Sequence, residues 1–410
     1  MSCVLPYGSA ASLALDLSSE ALVAHCAAPH GEGLRDVAEA VASALAEPLE
    51  FPALSRATVP GDRIVLAVES ELPQTAELVA AVARYLVETG TAPESLTVLR
   101  PDSVASQAEG DPRRLLPADW RHRVACEVHD PSDTARLAHL GSTRGGEGVY
   151  LNRTLLDADL VVPMGCLRCE PALGFHGRHG GVYPTFSNAK ALGRFRKPHA
   201  AEHQCEFEAR ARREIDEVGW MLGALCTVQV VPGAGEALLA VLAGEVRRVF
   251  DLGQEHCLAA WSYTVPRRAS LVVAAISGGP GQQTWNNVGR ALSAASRAAT
   301  EGGAVVLCTE LASEPGPAVR SLAQAEDLAD TERQIRRACP PDALAAVELA
   351  RIMDRAKVYL LSQLDESLVA DLGMAPVSAG AEVARLARRH ASCTVLASAQ
   401  HARVTPWEDT

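Results

Sequence analysis

Two copies of a strand–helix–strand pattern constrain the fold more than any other feature of this sequence. Within residues 63–99, an amphipathic helical pattern at 75–88 separates two short apolar runs. Residues 269–308 repeat the order, with the helical pattern at 286–300. Short apolar runs joined by a helix are typical of parallel strands that are buried on both faces. The pattern therefore predicts an α/β fold with mostly parallel sheets and right-handed crossovers.

The length of the chain predicts two domains, because 410 residues exceed one ordinary domain. A new alternation of strands and helices begins near Arg267. We predict an N-terminal domain at residues 1–264 and a second α/β domain at residues 268–410. Since open α/β sheets bind ligands beyond the carboxyl ends of their strands, we expect the two domains to face a cleft that holds the site.

Charge and composition limit the partners of the chain. The formal net charge is −12, whereas a nucleic-acid binder needs a basic face for the phosphate backbone. No run of eighteen apolar residues is present to span a membrane, and the N-terminus lacks the basic and apolar segments of a signal peptide. We therefore expect neither a nucleic-acid nor a membrane partner, and we expect a cytoplasmic location. The eleven cysteines are expected to be free thiols.

Side chains able to do chemistry concentrate in residues 165–205, after an apolar run at 159–164 that is typical of a buried strand. Glycines and prolines in this segment favour a loop. A loop that leaves the end of a buried strand is where open α/β sheets build their sites. The segment holds four histidines and three cysteines, and Glu170 follows the second of these cysteines: His176, His179, His199, His203, Cys166, Cys169, Cys205 and Glu170. We predict that this loop is the functional site.

Metal or redox chemistry is one interpretation of the loop. His199 and His203 are four residues apart, so both imidazoles lie on one face if the segment is helical and can share a metal ion such as nickel or zinc. The alternative is that they are solvent-facing histidines of a polar loop. Cys166 and Cys169 form a C-x-x-C pattern, which suits a redox pair or half of a zinc site. Because no second C-x-x-C follows, two buried thiols are the favoured alternative.

Carboxylates supply a second set of candidates. Glu170 becomes a general base if the loop buries it and raises its pKa, and it is otherwise an exposed carboxylate beside Arg168. Glu69 and Glu71 follow a predicted strand and are therefore well placed for a site. The alternative for Glu71 is an interaction with the dipole of the helix that follows.

The second domain carries one candidate turn, the Gly-Gly-Pro-Gly sequence at residues 278–281 between a predicted strand and a predicted helix. Its backbone N–H groups could bind an anion, although a plain tight turn is favoured because no nucleotide-binding motif is present. Arg290 lies on the following helix. It is the residue of this domain that we expect to meet a carboxylate.

The order of short phrases along the chain resembles the nickel-dependent lactate racemase family, a set of 2-hydroxyacid racemases and epimerases. The phrases are individually weak, but together they extend over most of the sequence. They are residues 5–8, 65–69, 157–162, 174–177, 214–219, 228–231, 242–245, 278–280, 286–291 and 301–303.

The resemblance implies a particular chemistry. Family members carry a pincer-type pyridinium cofactor joined to a lysine, and a nickel ion is bound by the pincer and by a histidine. Two histidines act in turn on the substrate hydroxyl, while hydride leaves the α-carbon for the cofactor and returns on the other face. An arginine in the first acidic loop helps to bind the substrate carboxylate.

This sequence departs from the family pattern at the residues that matter most. The family loop reads Gly-Phe-Ser-Gly-Gly-Arg-Lys, whereas residues 174–180 read Gly-Phe-His-Gly-Arg-His-Gly, which puts Gly180 at the lysine position. Glu170 stands near the position of one catalytic histidine, and no histidine follows the strand that ends at Leu99. Leu72 stands near the carboxylate-binding arginine. On the second-domain helix, a family Gln and Lys correspond to Asn287 and Arg290, which keep anion recognition.

Two functions follow from these comparisons of residues. The first is a divergent racemase or epimerase that acts on a small hydroxy- or carboxy-acid without the lysine-anchored pincer cofactor. Its predicted catalytic residues are Glu170, His176 and His179, its substrate residues are Glu69, Glu71, Asn286, Asn287 and Arg290, and its metal ligands are His199 and His203. The alternative is a catalytically inactive relative that binds a ligand or a partner. The sequence leaves the oligomeric state open.

Overall fold

The computed structural model describes residues 2–27, 33–170, 174–196, 201–338, 340 and 342–407. Its strands are β1 (Ser2–Tyr7), β2 (Ala11–Asp16), β3 (Leu22–Cys26), β4 (Ile64–Val68), β5 (Leu96–Pro101), β6 (Ala125–His129), β7 (Leu137–Ser142), β8 (Gly148–Asn152), β9 (Leu160–Cys166), β10 (Arg168–Glu170), β11 (Gly174–His176), β12 (Cys226–Pro232), β13 (Leu238–Glu245), β14 (Ser262–Val265), β15 (Ala269–Ala275), β16 (Ala299–Cys308), β17 (Lys357–Leu361), β18 (Ala375–Val377), β19 (Cys393–Leu396) and β20 (Arg403–Pro406).

Its helices are α1 (Val37–Ala46), α2 (Thr75–Glu88), α3 (Val104–Glu109), α4 (Ala118–Arg121), α5 (Arg153–Leu156), α6 (Ala189–Arg196), α7 (Ala201–Leu222), α8 (Val246–Trp261), α9 (Trp285–Ala298), α10 (Pro317–Leu322), α11 (Leu328–Ala338), α12 (Ala343–Arg355), α13 (Glu366–Asp371) and α14 (Gly380–Arg389). None of the helices in the described part of the chain combines the length and the apolar composition needed to cross a bilayer.

Two six-stranded sheets organise the described residues. The first has the order β13-β12-β9-β4-β5-β6 and is parallel except for β13, which runs antiparallel to β12. The second has the order β18-β17-β16-β15-β19-β3 and is parallel throughout. The predicted α/β architecture with mostly parallel sheets is therefore confirmed. We call each sheet, with the elements packed on it, the first and the second lobe.

Strand β4 explains why the first sheet is buried on both faces. Ile64, Leu66 and Val68 pack into the apolar core on one face, whereas Val65 and Ala67 pack into the core on the other. Side chains alternate across a strand, so an uninterrupted apolar run requires a layer on each side. Helices α1 and α2 belong to the first layer, and α7 with the β7–β8 hairpin belongs to the second.

The second lobe includes the N-terminal strands of the chain. Strand β3 pairs with β19 at the edge of the second sheet, and the β1–β2 hairpin packs on the same sheet through Leu5 and Leu15, which share a core cluster with Val273. Residues 2–26 therefore pack with the second sheet, although the predicted N-terminal domain of residues 1–264 includes them. The reason is that β3 completes the edge of the second sheet. The division near residues 264–268 for the rest of the chain stays a prediction.

Local turn chemistry starts two helices that the sequence pattern does not predict. The apolar run at 159–164 forms strand β9 as expected, and helix α5 precedes it, because the Asn152 side chain accepts a hydrogen bond from the Thr154 N–H and caps α5. Helix α8 was not predicted from the pattern. The Glu245 carboxylate caps it by accepting the N–H groups of Arg247 and Arg248.

The carboxyl ends of β4 and β9 lie side by side in the first sheet, and they lead into the segments that carry Glu69 and Arg168. In the second lobe, β15 leads through residues 276–284 into α9. Thr284 caps α9 by accepting the N–H of Asn287. These three connections bring the candidate site together between the lobes.

Candidate functional site

Glu69 is bound from three directions at the end of β4. One carboxylate oxygen accepts the Cys166 N–H at 2.5 Å and Arg168 Nη1 at 2.9 Å, and the other lies 2.7 Å from His176 Nε2. Arg168 and His176 are opposite each other in the β10–β11 hairpin, which explains why both reach the same carboxylate. Burial by itself would raise the pKa of Glu69, but His176 and Arg168 outweigh it and hold the pKa at about 2.

A second ion-pair group crosses between the lobes. Arg290, which lies on α9 of the second lobe and is 6% exposed, donates from Nη1 to Glu71 at 2.7 Å. Its Nε and Nη2 donate to one oxygen of Glu170 at 3.1 and 3.0 Å. Burial opposes the charge of Arg290, but Glu170 and Glu71 raise its pKa above the usual range. Burial likewise opposes the charge of Glu71, and Arg290 with Arg168 lowers its pKa.

The start of α9 orients this group. Thr284 donates to Glu71 Oε1 at 2.8 Å while its hydroxyl caps the helix, and Asn287 accepts Arg290 Nη1 at 2.6 Å. Glu71 has a backbone φ of +64°, which is uncommon for a residue with a side chain. Asn286 is exposed on the same helix, so of the two predicted asparagines the structure brings only Asn287 to Arg290.

His401 lies behind this charge cluster and was not singled out from the sequence. It is 4% exposed, and its ring stacks at a tilt on Trp261 with 5.1 Å between the ring centroids. Neither ring nitrogen has a hydrogen-bond partner among the described residues. Burial, with the charges of Arg290 and Arg168, lowers the pKa of His401 to about 3, so its imidazole is neutral. A lone histidine near the C-terminus carries no motif, and only the folding of the chain reveals its position.

Comparison with known proteins finds a similarity in the first part of the chain. Residues 7–205 match the family model of the lactate racemase N-terminal domain. This part of the chain is therefore similar to that domain. No curated protein sequence matches the chain.

Two solved structures share the fold of the whole chain. The lactate racemase apoprotein from Thermoanaerobacterium thermosaccharolyticum has a TM-score of 0.77 and 18% sequence identity, with coverage of 98% of this chain and 100% of its own. A protein from Thermotoga maritima has a TM-score of 0.67 and 13% identity, with coverage of 92% and 99%. At these identities the likeness shows the fold alone.

The loop of the lactate racemase N-terminal domain does not fit a lysine-anchored cofactor in this chain. Gly180, at the predicted lysine position, is buried against the imidazole of His176. A Cβ atom at residue 180 would lie 3.1 Å from Cε1 of that ring, so even a short side chain would press on it. Glu170, near the position of a family histidine, is bound to Arg290. No reaction step is therefore derived through that cofactor.

The predicted catalytic residues separate into two places. Glu170 and His176 both belong to the β10–β11 hairpin and are linked through Arg168 and Glu69. His179 instead packs under α7, where its Nε2–H donates to the Ala224 carbonyl at 2.9 Å. The structure thus brings Glu170 and His176 to the cleft and leaves His179 outside it.

The predicted metal ligands fall largely outside the described structure. His199 is not among the described residues, and His203 lies in α7 without a described side chain. In the described ranges, no group of three or more His, Cys, Asp or Glu side chains is arranged to hold a metal ion. Burial raises the pKa of the Cys166 thiol to about 12 and of the Cys169 thiol to about 11, which favours the inert alternative for this pair.

The Gly-Gly-Pro-Gly turn at residues 278–281 binds an anion that belongs to the chain itself. The Gly279 N–H donates to Glu236 of the first lobe at 2.5 Å, and the Gln74 N–H donates to the other oxygen at 3.3 Å. Glu109 lies beside Gly281, and burial together with the charges of Glu236 and Glu71 raises its pKa to about 7. Neither Glu236 nor Glu109 was singled out from the sequence, because each stands apart from any motif.

Proposed function

We propose that this chain binds a small hydroxy- or carboxy-acid in the cleft between its lobes, without a lysine-anchored cofactor. The observation that carries the proposal is Arg290, a buried guanidinium of the second lobe that already holds two carboxylates of the first. A guanidinium binds a carboxylate through paired N–H donors and keeps its charge at every ordinary pH. A geometry that accepts the carboxylates of Glu71 and Glu170 is suited to the carboxylate of a ligand.

Access to Arg290 requires the lobes to separate. In the closed arrangement Glu71 and Glu170 occupy the guanidinium, so an incoming acid has to replace at least one of them. Arginine on one lobe and glutamates on the other make closure reversible, because each charged group can be hydrated when the lobes part. The proposed binding step is therefore an exchange of carboxylates on Arg290.

If the chain is a racemase or epimerase, Glu170 and His176 are the proposed acid–base pair. Glu69 holds His176 through a 2.7 Å contact, and one oxygen of Glu170 has no hydrogen-bond partner among the described residues. Through these two side chains such an enzyme would move a proton at the stereocentre. Asn287 and Glu71 are proposed to position the substrate, and His179 is not assigned a role in this step.

A second candidate function is an inactive relative that binds a ligand without changing it. Two observations favour it: the lysine position is a glycine packed on His176, and Arg290 is fully occupied by internal carboxylates. Both candidates share the ligand and the cleft. They differ only in whether the bound acid exchanges its stereochemistry.

The binding experiment is calorimetric titration of the full chain with both enantiomers of a panel of 2-hydroxy acids and simple carboxylic acids. We expect saturable binding that Arg290→Met weakens by about tenfold or more. Arg136→Met is the matched control, because Arg136 pairs with Glu127 at the edge strand β6, away from the cleft. Absence of binding by every acid, or equal affinity in the two variants, would overturn the proposal.

The activity experiment separates the two candidate functions. Each bound enantiomer is incubated with the protein in D₂O and followed by chiral chromatography and mass spectrometry. Exchange that is lost in Glu170→Gln and kept in Glu127→Gln supports the enzyme, whereas binding without exchange supports the inactive relative. Elemental analysis of the same sample tests the metal prediction, which requires stoichiometric nickel or zinc that disappears when His199 and His203 are replaced.

A further inference from the structure

The closed cleft contains more negative than positive charge. Glu69 is bound by Arg168 and His176, whereas Glu71 and Glu170 share the single guanidinium of Arg290, so two carboxylates face one cation where Arg290 closes the cleft. Glu236 lies at the neighbouring Gly-Gly-Pro-Gly turn and adds to the excess. His401 does not offset it, because its imidazole is held neutral. Without Arg290, the first-lobe side of the cleft is a strongly acidic binding site for a cation.

This balance works against a ligand that carries only a negative charge. A hydroxy acid that displaces Glu170 from Arg290 adds a carboxylate to a buried site that already has an excess of them. Glu170 would then keep only its longer, 3.9 Å contact with Arg168. A carboxylate left unpaired in a buried site loses its hydration without compensation, and this loss offsets the gain from the new ion pair.

A ligand that carries both a carboxylate and a cationic group leaves neither Arg290 nor the two glutamates unpaired. Its carboxylate can bind Arg290, while its ammonium or guanidinium group takes the place that Arg290 held between Glu71 and Glu170. The two internal ion pairs of Arg290 are then replaced by one pair with the ligand carboxylate and two pairs with the ligand cation, and the net charge of the cleft does not change. We infer that the ligand of this cleft is a zwitterion, an amino acid or a guanidino acid, bound by Arg290 through its carboxylate and by Glu71 and Glu170 through its cation. The inference rests on the proposed function and names its ligand class.

Unpartnered polar atoms at the same place support this inference independently of the charge balance. Glu170 Oε1, Arg168 Nε and both ring nitrogens of His401 have no hydrogen-bond partner among the described residues. The three side chains are 8%, 9% and 4% exposed. Buried polar atoms without partners are costly and uncommon in folded proteins. They provide an acceptor for a ligand cation at Glu170 and a donor for a ligand carboxylate at Arg168, both in contact with the Arg290 group.

The test compares probes built on one four-carbon chain that differ in their charged groups, together with lactate as a 2-hydroxy acid. The zwitterions are 4-guanidinobutyrate and 4-aminobutyrate, the cations are butylguanidine and butylamine, and the anions are butyrate and lactate. Each is titrated into the full chain and followed by calorimetry and by the shift of the melting temperature. We expect at least one zwitterion to bind about tenfold or more tightly than the cation and the anion that match it.

Two variants make the test specific to the proposed contact. Glu170→Gln keeps the size of the side chain and removes its charge, so it should weaken zwitterion binding by about tenfold and leave butyrate binding unchanged or stronger. Glu127→Gln is the matched control, since Glu127 also pairs with an arginine but lies on β6. The control is expected to bind every probe as the wild type does. If Glu170→Gln fails to fold, the ranking of the probes on the wild type decides the question alone.

The outcomes distinguish the inference from the proposed function. Tighter binding of lactate or butyrate than of the zwitterions overturns the inference and leaves the proposed function standing. Tighter binding of the plain cations overturns the inference in the opposite direction and removes the role of Arg290 as a carboxylate site. Absence of binding by every probe overturns both.

Discussion

Glu71 lies in an environment and in a backbone conformation that are both unfavourable for a glutamate. Its carboxylate is buried, which costs several kcal/mol in lost hydration, and its left-handed backbone costs about 1–2 kcal/mol more. Arg290 and Thr284 offset these terms through hydrogen bonds of 2.7 and 2.8 Å. A residue held in this way is sensitive to changes in the charges around it.

His401 should make the fold less stable in acid. The pKa of His401 is about 3 in the folded chain, below the ordinary 6.5. Between pH 3 and pH 6.5 the unfolded chain therefore binds a proton that the folded chain does not bind. The unfolding free energy therefore falls as the pH decreases through this window. His401→Phe removes the effect, and its stability relative to wild type should improve by about 2 kcal/mol between pH 7 and pH 5. Urea unfolding at both pH values measures this, and a pH-independent difference would contradict it.

Glu109 should have the opposite dependence. Its pKa is raised to about 7 from the ordinary 4.5, so the folded chain holds a proton that the unfolded chain loses between these values. The unfolding free energy then falls as the pH rises through this window. Glu109→Gln stays neutral, and its stability relative to wild type should improve by about 2 kcal/mol between pH 5 and pH 8. The same urea unfolding series tests this prediction. A stability of Glu109→Gln relative to wild type that does not rise between pH 5 and pH 8 would contradict it.

Helix α7 packs closely on the turn that carries His179. The imidazole of His179 lies directly against Gly219, so a Cβ atom at residue 219 would overlap its ring. The contact is made possible by glycine alone, and the ring is fixed on its far side by the Ala224 carbonyl. The close approach of α7 to the loop therefore depends on the absence of a side chain at residue 219.

Gly219→Ala should destabilise the protein although alanine favours helices. The extra methyl group forces the His179 ring or the helix to move, at a cost of about 1–3 kcal/mol in unfolding free energy. Gly193→Ala is the control in α6, where a Cβ atom meets nothing within 4 Å, and there alanine should add about 0.5–1 kcal/mol. Thermal and urea unfolding of both variants give the comparison. Equal effects in the two helices would exclude the proposed close packing.

The two lobes are joined by polar contacts across the whole cleft. Besides the ion pairs of Arg290, the Gln282 side chain donates to the Glu71 carbonyl at 3.0 Å, and the Gly235 N–H donates to Ser277 Oγ at 3.1 Å. Such contacts exchange readily with water, in contrast to an apolar interface. We therefore propose that the molecule opens between its lobes.

Arg290→Met should therefore loosen the molecule as a whole. Removing the cation leaves Glu71 and Glu170 buried without it, which costs about 3–5 kcal/mol and favours hydration of both carboxylates in an open form. We expect lower stability in urea and a larger radius of gyration by small-angle X-ray scattering. Adding Glu71→Gln and Glu170→Gln should recover much of the loss. A single variant that is as compact and as stable as wild type would refute the electrostatic closure.

The sequence by itself determined the class of the fold and the elements that build it. The apolar run of β4, the amphipathic pattern of α2 and the second-domain pattern ending in β16 predict parallel strands with helical crossovers, since burial on both faces leaves no other arrangement for such runs. Sequence position also directed attention to Glu69, Glu71, Glu170, His176 and Arg290, because each follows a predicted strand or lies on a predicted crossover helix. Their roles in binding and catalysis stay predictions.

Only the tertiary structure decided which of these residues meet. The N-terminal strand β3 joins the second sheet, His401 lies behind Arg290, and Glu236 binds the turn of the opposite lobe. None of these contacts leaves a local pattern, because periodicity reports which face of an element is apolar and not which element will cover it. Charge pairing between lobes depends on distances of a few ångströms between residues that are hundreds of positions apart. Those distances are fixed by the packing of both cores together, and so they exist only in the folded chain.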